Sequence, residues 1–125
     1  MIGSEDIAFL ERKGWQYEVK EVELGTGRET HVLVHNYPVP DRLQPRLVEL
    51  LVRIPLGYPE IGLDMFWTIP NVTESATGLM PAQANVLENH GGRMWQRWSR
   101  HMNGWRSGID NLETFFGAIY KELHR

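Results

Sequence analysis

The spacing of apolar side chains predicts a helix near each end of the chain. Ser4 stands where a capping residue would begin a short helix, and Gly14 stands where that helix would end. Residues 109–123 carry apolar side chains at helical spacing, so a second, longer helix is expected there, capped by Ser107 or Asp110. The positions expected to be buried in this helix are Leu112, Phe116, Ile119 and Leu123.

Between these helices the period of the pattern changes to that of β-strands. The first of four expected strands begins at Trp15, and the others cover residues 30–36, 47–54 and 63–69. In the third strand the side chains expected to share the inward face are those of Val48, Leu50, Val52 and Ile54. The "GTG" at residues 25–27 predicts a hairpin turn, whereas residues 71–92 show no clear period and are expected to form a long loop. Successive strands with helices at both ends indicate an α+β domain with a four-stranded antiparallel meander sheet.

Composition narrows the class of protein. A chain of 125 residues suits one domain, here residues 1–125, and the net charge of −3 argues against binding nucleic acid over the whole surface. The absence of cysteine excludes disulfides, zinc–thiolate sites, iron–sulfur clusters and a cysteine nucleophile. No apolar run approaches the roughly 18 residues of a membrane span, and the N-terminus lacks the pattern of a signal peptide, so a cytoplasmic protein is expected.

The stretch "GGRMWQRWSRHMNGW", residues 91–105, holds three of the five tryptophans and no acidic residue. It interleaves aromatic and cationic side chains, as the stacking surfaces of single-stranded nucleic-acid-binding proteins do. The residues concerned are Trp95, Trp98, Trp105, Arg93, Arg97, Arg100 and Arg106. Large aromatic side chains in a small domain are more often part of the core, and arginine often stacks on tryptophan for packing alone. A nucleic-acid-binding module is therefore kept only as an alternative.

Histidine and serine spacing gives little support for other chemistry. His31 and His35 lie on a predicted strand, where four residues span about 13 Å, so they cannot share a metal ion by themselves. His90 and His101 form no known ligand pattern for zinc, so neither a metal nor another cofactor is predicted, and a metal-dependent hydrolase remains a weaker alternative. Ser99 and His101 would share a face of an extended strand, although that spacing alone favours ordinary packing.

Several motifs, in order along the chain, resemble the ubiquitin-conjugating enzyme (E2) fold. "IPLGYPE" contains Tyr58 and Pro59, which resemble the Tyr-Pro at the exit of that fold's third strand. "DMFWTIPNV" is similar to the fourth strand running into the His-Pro-Asn motif, with Pro70 and Asn71 in place. "NGWRSG" resembles the Trp-Ser-Pro turn, with Trp105 as its tryptophan, and the C-terminal helix follows. Residues 93–116 are more specifically similar to the prokaryotic family E of this superfamily.

Two departures from that pattern limit what the resemblance implies. The family's central cysteine, expected shortly before the tryptophan turn, is missing, so a thioester cannot form. Ile69 replaces the motif histidine. Asn71 matches the residue that orders the loop and helps to stabilise the oxyanion in the family, and without a nucleophile the loop-ordering role is favoured.

The resemblance implies a place in a bacterial ubiquitin-like protein modification system, whose other components include an activating enzyme and the ubiquitin-like protein itself. The chain is expected to be a cysteine-less variant that binds one or both of these partners. Alternatively, Ser99, activated by His101, carries the ubiquitin-like protein as an ester, or the sequence bears a substitution of a native cysteine. The acid-free run continues to Ser107, and its arginines are expected to line a groove for a partner's tail or acidic surface. The binding residues expected there are Arg93, Arg97, Arg100, Arg106 and Trp105.

Overall fold

The computed structural model describes residues 2–25, 27–99 and 104–125. Within these ranges the chain forms a helix, eight strands and a second helix. The elements in chain order are α1 (Ser4–Lys13), β1 (Gln16–Leu24), β2 (Gly27–Pro38), β3 (Leu43–Gln44), β4 (Leu47–Ile54), β5 (Met65–Ile69), β6 (Thr73–Glu74), β7 (Val86–His90), β8 (Arg93–Ser99) and α2 (Leu112–Leu123). An α+β fold with terminal helices and a large antiparallel sheet, compatible with the ubiquitin-conjugating fold, is thereby confirmed.

Six of the described strands form one sheet in the order β1-β2-β4-β5-β8-β7, and all of its pairs are antiparallel. The four predicted strands correspond to β1, β2, β4 and β5, which are neighbours in chain order and form the expected meander. The sheet does not end there, because the hairpin β7–β8 continues it past β5. Residues 71–92, predicted as a long loop, therefore contain β7 as well as the short strand β6. Gly91 and Gly92, both with positive φ, make the turn of the β7–β8 hairpin.

The main core lies between the inner face of this sheet and the two helices. The predicted inward positions of β4 are all buried, as are those of α2. They are Val48, Leu50, Val52, Ile54, Leu112, Phe116, Ile119 and Leu123. In α1 the buried apolar residues are Phe9 and Leu10, whereas Ile7 is 37% exposed. None of the helices in the described part of the chain is long and apolar enough to cross a membrane.

The helix caps differ from the sequence prediction. Ser4 is the first residue of α1 rather than its cap. The capping position is occupied by Gly3, which has no side chain to bond the helix. Asn111 caps α2 in a capping box with Thr114, whose own hydroxyl accepts from the Asn111 N–H. Asp110 binds Arg106 instead of the helix.

A smaller apolar cluster covers part of the outer face of the sheet. Leu51, Trp67 and Trp95 are buried there. Trp98 lies three residues beyond Trp95 and therefore on the opposite, inner face, where its ring stacks on Phe66 with 5.2 Å between the ring centroids. The two tryptophans of β8 thus serve two different cores.

Candidate functional site

The loop that follows β5 carries the Pro-Asn motif. A cis peptide bond joins Ile69 to Pro70, Asn71 is exposed, and Val72 is fully buried. The chain therefore turns inward directly after the motif, and Asn71 remains accessible at the surface.

Gln96, on the inner face of β8, holds this loop in place. The side chain is completely buried, and its Oε1 accepts hydrogen bonds from the Val72 N–H at 2.6 Å and the Thr68 hydroxyl at 3.1 Å. Its Nε2 donates to the carbonyl of Val72 at 3.0 Å and to that of Ala84 at 2.7 Å. Since Thr68 also accepts from the Trp98 indole N–H at 3.0 Å, one buried network fixes both ends of residues 72–84 to the sheet. We call this network the Gln96 clamp.

Residues 73–79 form a structured protrusion. Strand β6 pairs with β3, and Ser75 donates from its N–H to the Arg42 carbonyl at 2.9 Å and from its hydroxyl to the Asp41 carbonyl at 2.8 Å. The Glu74 N–H donates to the Leu79 carbonyl at 2.8 Å, which closes the turn. Leu79 itself is 67% exposed, so the protrusion presents an apolar side chain to solvent.

The tryptophan turn packs against the Tyr-Pro loop. The Trp105 indole N–H donates to the Pro59 carbonyl at 2.8 Å, and the rings of Trp105 and Tyr58 lie 6.2 Å apart. Gly62 lies against Trp105 so closely that a Cβ added there would be 2.6 Å from the Trp105 Cγ. Trp105 is half-buried and acts here as a packing residue.

The buried carboxylate of Asp6 connects three elements. It accepts a hydrogen bond from the Tyr58 hydroxyl at 2.7 Å and another from the Leu112 N–H at 3.3 Å, at the start of α2. Burial of Tyr58 and its hydrogen bond to Asp6 raise the pKa of the phenol far above its usual value. The Tyr-Pro motif is thus tied to both helices at once.

Ser99 and Asn71 lie at opposite ends of β5. Ser99 pairs with Met65, the first residue of that strand, whereas Asn71 comes two residues after its last residue, Ile69. The strand alone spans about 13 Å, so the two side chains do not form one site. The Ser99 hydroxyl accepts a hydrogen bond from the Arg97 Nε at 3.1 Å, and arginine cannot act as a base.

The predicted binding arginines of β8 make contacts within the protein. Arg93 is exposed, with its guanidinium carbon 5.1 Å from the centre of the Trp95 ring. Arg97 is half-buried and forms an ion pair with Glu88 at 2.6 Å. Arg93 is therefore the more accessible of the two cations.

Of the remaining predicted cations, Arg106 lies just before α2. It binds the buried Asp110 through its backbone N–H at 2.6 Å and its Nη2 at 3.2 Å, and these hydrogen bonds lower the pKa of Asp110. The Arg106 side chain stays 64% exposed. Arg100 and His101 lie outside the described residues, so the proposed Ser99–His101 pair is a prediction about a part of the chain that the structure does not describe.

A row of ionisable side chains crosses the outer face of the sheet. Burial opposes ionisation of Glu29, but hydrogen bonds from Arg53 and His31 lower its pKa overall. Burial likewise opposes ionisation of Glu88, but its pKa is lowered overall. The cause is the hydrogen bonds that Glu88 accepts from the Trp67 indole, His90 and Arg97. Burial lowers the pKa of His90 and favours its neutral form.

Two histidines considered as metal ligands, His31 and His35, have glutamate partners instead. His35 lies between Glu18, at 2.7 Å, and Glu49, while His31 pairs with Glu29 at 2.7 Å. Across residues 2–25, 27–99 and 104–125, no group of three or more His, Cys, Asp or Glu side chains is placed to hold a metal ion.

Burial also bears on the nucleic-acid alternative. Trp95 is 2% exposed and Trp98 is 1% exposed, so neither ring can stack on a base. With Trp105 packed against Pro59, the described part of the tryptophan–arginine stretch, residues 91–99 and 104–105, offers no row of aromatic platforms.

Comparison with known families gives a match over almost the whole chain. The model of a family described as prokaryotic E2 family E matches residues 2–125. The chain belongs to prokaryotic E2 family E. No curated protein and no solved structure matches the chain.

Membership confirms the resemblance seen in the sequence and supports an E2-like component. This family E protein has no cysteine among its 125 residues and is a cysteine-less variant. Sequence reasoning missed Gln96 and Asp6, whose buried polar side chains hold the motif-bearing loops.

Proposed function

We propose that this family E protein is a non-catalytic E2-like component that binds a ubiquitin-like protein, its activating enzyme, or both. The observation that carries the proposal is the complete absence of cysteine from a chain matched to the family over residues 2–125. Carrying an acyl group as a thioester requires a thiol, and no other side chain provides one.

Buried hydrogen bonds hold the loops that bear the motifs. The Gln96 clamp fixes the loop after Pro70, and Asp6 fixes the loop containing Tyr58. These supports would keep a binding surface in place without a thiol, as the proposed role requires. In this proposal Asn71 contributes to the order of the exposed loop rather than to chemistry.

An ester carrier based on Ser99 has less support. Its hydroxyl accepts a hydrogen bond from Arg97, which cannot act as a base, and the predicted base, His101, lies outside the described residues. Ser99 also lies at the end of β5 opposite Asn71, the residue that would stabilise an oxyanion.

The proposed contacts for an acidic partner surface are the arginines of residues 91–107. Arg93 is the most informative of the described ones, because it is exposed and its guanidinium rests on Trp95 without an ion pair to satisfy it among the described residues. Arg97 and Arg106 are held by Glu88 and Asp110, so their substitution would also disturb the fold.

Isothermal titration of the purified protein with the cognate ubiquitin-like protein and, separately, with the activating enzyme tests the proposal. We expect binding to at least one partner, weakened at least about fivefold by Arg93→Glu, since reversal of an exposed interface charge mainly slows association. Arg46→Glu, an equal charge change at an exposed arginine paired with Asp41, is the matched control and should bind normally. Failure to bind either partner would contradict the scaffold role.

A further inference from the structure

An open groove with an aromatic floor runs between α1 and α2. Its volume is about 770 Å³. The floor consists of Phe9, Trp15, Tyr37 and Phe116, with ring centroids 4.9 Å apart for Trp15 and Phe116. Trp15 is only partly buried, so apolar ring surface remains accessible in the groove. We call it the α1–α2 groove.

Gly117 lies in the interior of α2 and lines this groove. A glycine at such a position costs about 1 kcal/mol of helix stability relative to alanine. A Cβ at Gly117 would meet nothing within 4 Å, and the residue has no positive φ that would require glycine. No contact within the described chain explains the glycine, whereas an occupant that approaches the helix backbone closely would explain it.

The rim of the groove is positively charged although the chain is acidic overall. Arg12, Lys13 and Lys121 line it, against one carboxylate, Glu113, which pairs with Arg12 at 3.2 Å. Lys121 is exposed and has no acidic partner among the described residues. On a protein whose net charge is −3, this local excess of positive charge favours an anionic occupant.

The length of the groove favours a peptide. The lining residues run from Glu113 in α2 to His124, directly after the helix, about 16 Å along the helix axis. An extended segment of about five residues has that length. At the far end the ring of His124 stacks on the exposed Tyr120, with 3.9 Å between ring centroids, and extends the aromatic surface.

We propose that the α1–α2 groove binds an acidic, extended peptide segment of a partner protein. One apolar side chain of that segment lies over Gly117 and contacts Trp15 and Phe116. The carboxylates of the segment face the cationic rim. The proposal does not depend on the scaffold function, since it names the chemistry of the segment and not the pathway of the partner.

Nuclear magnetic resonance with the ¹⁵N-labelled full chain tests the proposal. The probe is the capped peptide Asp-Glu-Phe-Asp-Glu, and the matched control is Lys-Lys-Phe-Lys-Lys. We expect saturable shifts of the Gly117 amide and the Trp15 indole N–H with the acidic peptide, with a dissociation constant below about 1 mM. The basic peptide should cause no saturable shift.

Two substitutions separate groove binding from general effects. Gly117→Leu fills the groove and improves helix propensity, so it should weaken binding at least about tenfold while leaving the melting temperature unchanged or higher. Lys121→Gln should weaken binding severalfold, whereas Lys20→Gln, the same change on exposed β1, should not.

Any of three results would overturn the proposal. They are no binding of the acidic peptide, equal binding of the basic peptide, and unchanged affinity of the Gly117→Leu variant for the acidic peptide. Shifts at Gly117 that depend on protein concentration without any peptide would instead identify a second copy of this chain as the occupant.

Discussion

The Gln96 clamp gives the sharpest prediction about stability. Gln96→Leu keeps a side chain of similar size on β8 but removes the amide. The N–H and carbonyl of Val72 and the carbonyl of Ala84 then lose their partner, and the Thr68 hydroxyl loses its acceptor. The three backbone groups belong to the loop that follows the Pro-Asn motif, so the substitution should release that loop from the sheet.

The magnitude follows from the number of groups left without a partner. A buried polar group that loses its hydrogen bond costs about 1–3 kcal/mol. The lower end applies because the loop can move away from the sheet and admit water, so four groups at about 1 kcal/mol each should lower the free energy of unfolding by about 4 kcal/mol. That is a large part of the roughly 5–15 kcal/mol typical of a domain, but the protein should still fold.

Urea denaturation at neutral pH measures this loss, and hydrogen exchange of the Val72 amide measures the local effect. Gln16→Leu, at an exposed position of β1, is the matched control and should change stability by less than about 0.5 kcal/mol. A loss below about 1 kcal/mol for Gln96→Leu, with Val72 exchange unchanged, would refute the role assigned to the clamp.

Gln96→Glu provides an independent check through its pH dependence. The introduced carboxylate still accepts from Val72 and Thr68 but faces the carbonyls of Val72 and Ala84 without a proton to donate. Its pKa in the folded protein should therefore lie above the unfolded value of about 4.3. The folded state then binds more protons between these two pKa values, so stability relative to the native protein should rise as pH falls through that window.

Three further substitutions test the contacts around the motif loops and the sheet. Asp6→Ala removes two hydrogen bonds to a buried carboxylate, including that of Tyr58, and should lower the free energy of unfolding by about 2–4 kcal/mol in urea denaturation. Gly62→Ala places a Cβ 2.6 Å from the Trp105 Cγ and should cost about 1–3 kcal/mol while changing the tryptophan fluorescence. His35→Gln should destabilise more at acidic than at alkaline pH. Burial opposes its protonation, but hydrogen bonds to two glutamates raise its pKa overall, so its stabilisation is fully present below about pH 6.5 and is lost as pH rises through the folded pKa.

Each of these substitutions has a control variant of the same residue type or charge, which should have a smaller effect. Glu5→Ala removes an exposed acid beside Asp6 and should cost less than about 1 kcal/mol. Gly25→Ala adds a Cβ that meets nothing within 4 Å, and His124→Gln changes an exposed histidine. Equal effects in the control and the test variant, or a pH-independent effect of His35→Gln, would contradict the contacts described.

The sequence predicted the parts of the fold whose burial follows a simple period. In β4 and α2 every residue expected to be buried faces the same apolar core. The strand or helix period is therefore visible directly in the order of apolar side chains. Strand β7 was missed because it lies at the edge of the sheet and carries polar or exposed residues on both faces. Gly91 and Gly92 were the available signal, since Gly-Gly favours a two-residue hairpin turn.

The supports of the candidate site could not be predicted in the same way. Gln96 binds Val72 and Ala84, which are 24 and 12 residues away, and nothing in its neighbours distinguishes a buried glutamine from an exposed one. Likewise, Asp6 looks like an ordinary acidic residue in the first turn of a helix. The tertiary fold alone places Leu112 and Tyr58 beside it.

In the proposed scaffold role, this prokaryotic E2 family E protein takes part in conjugation without forming a covalent intermediate. The most direct measurement is the intact mass of the protein after incubation with the cognate activating enzyme, the ubiquitin-like protein and ATP, in parallel with native gel filtration. We predict an unchanged mass together with a complex containing at least one of these partners. An ATP-dependent adduct that hydroxylamine cleaves, and that Ser99→Ala abolishes, would contradict the account and establish an ester carrier instead.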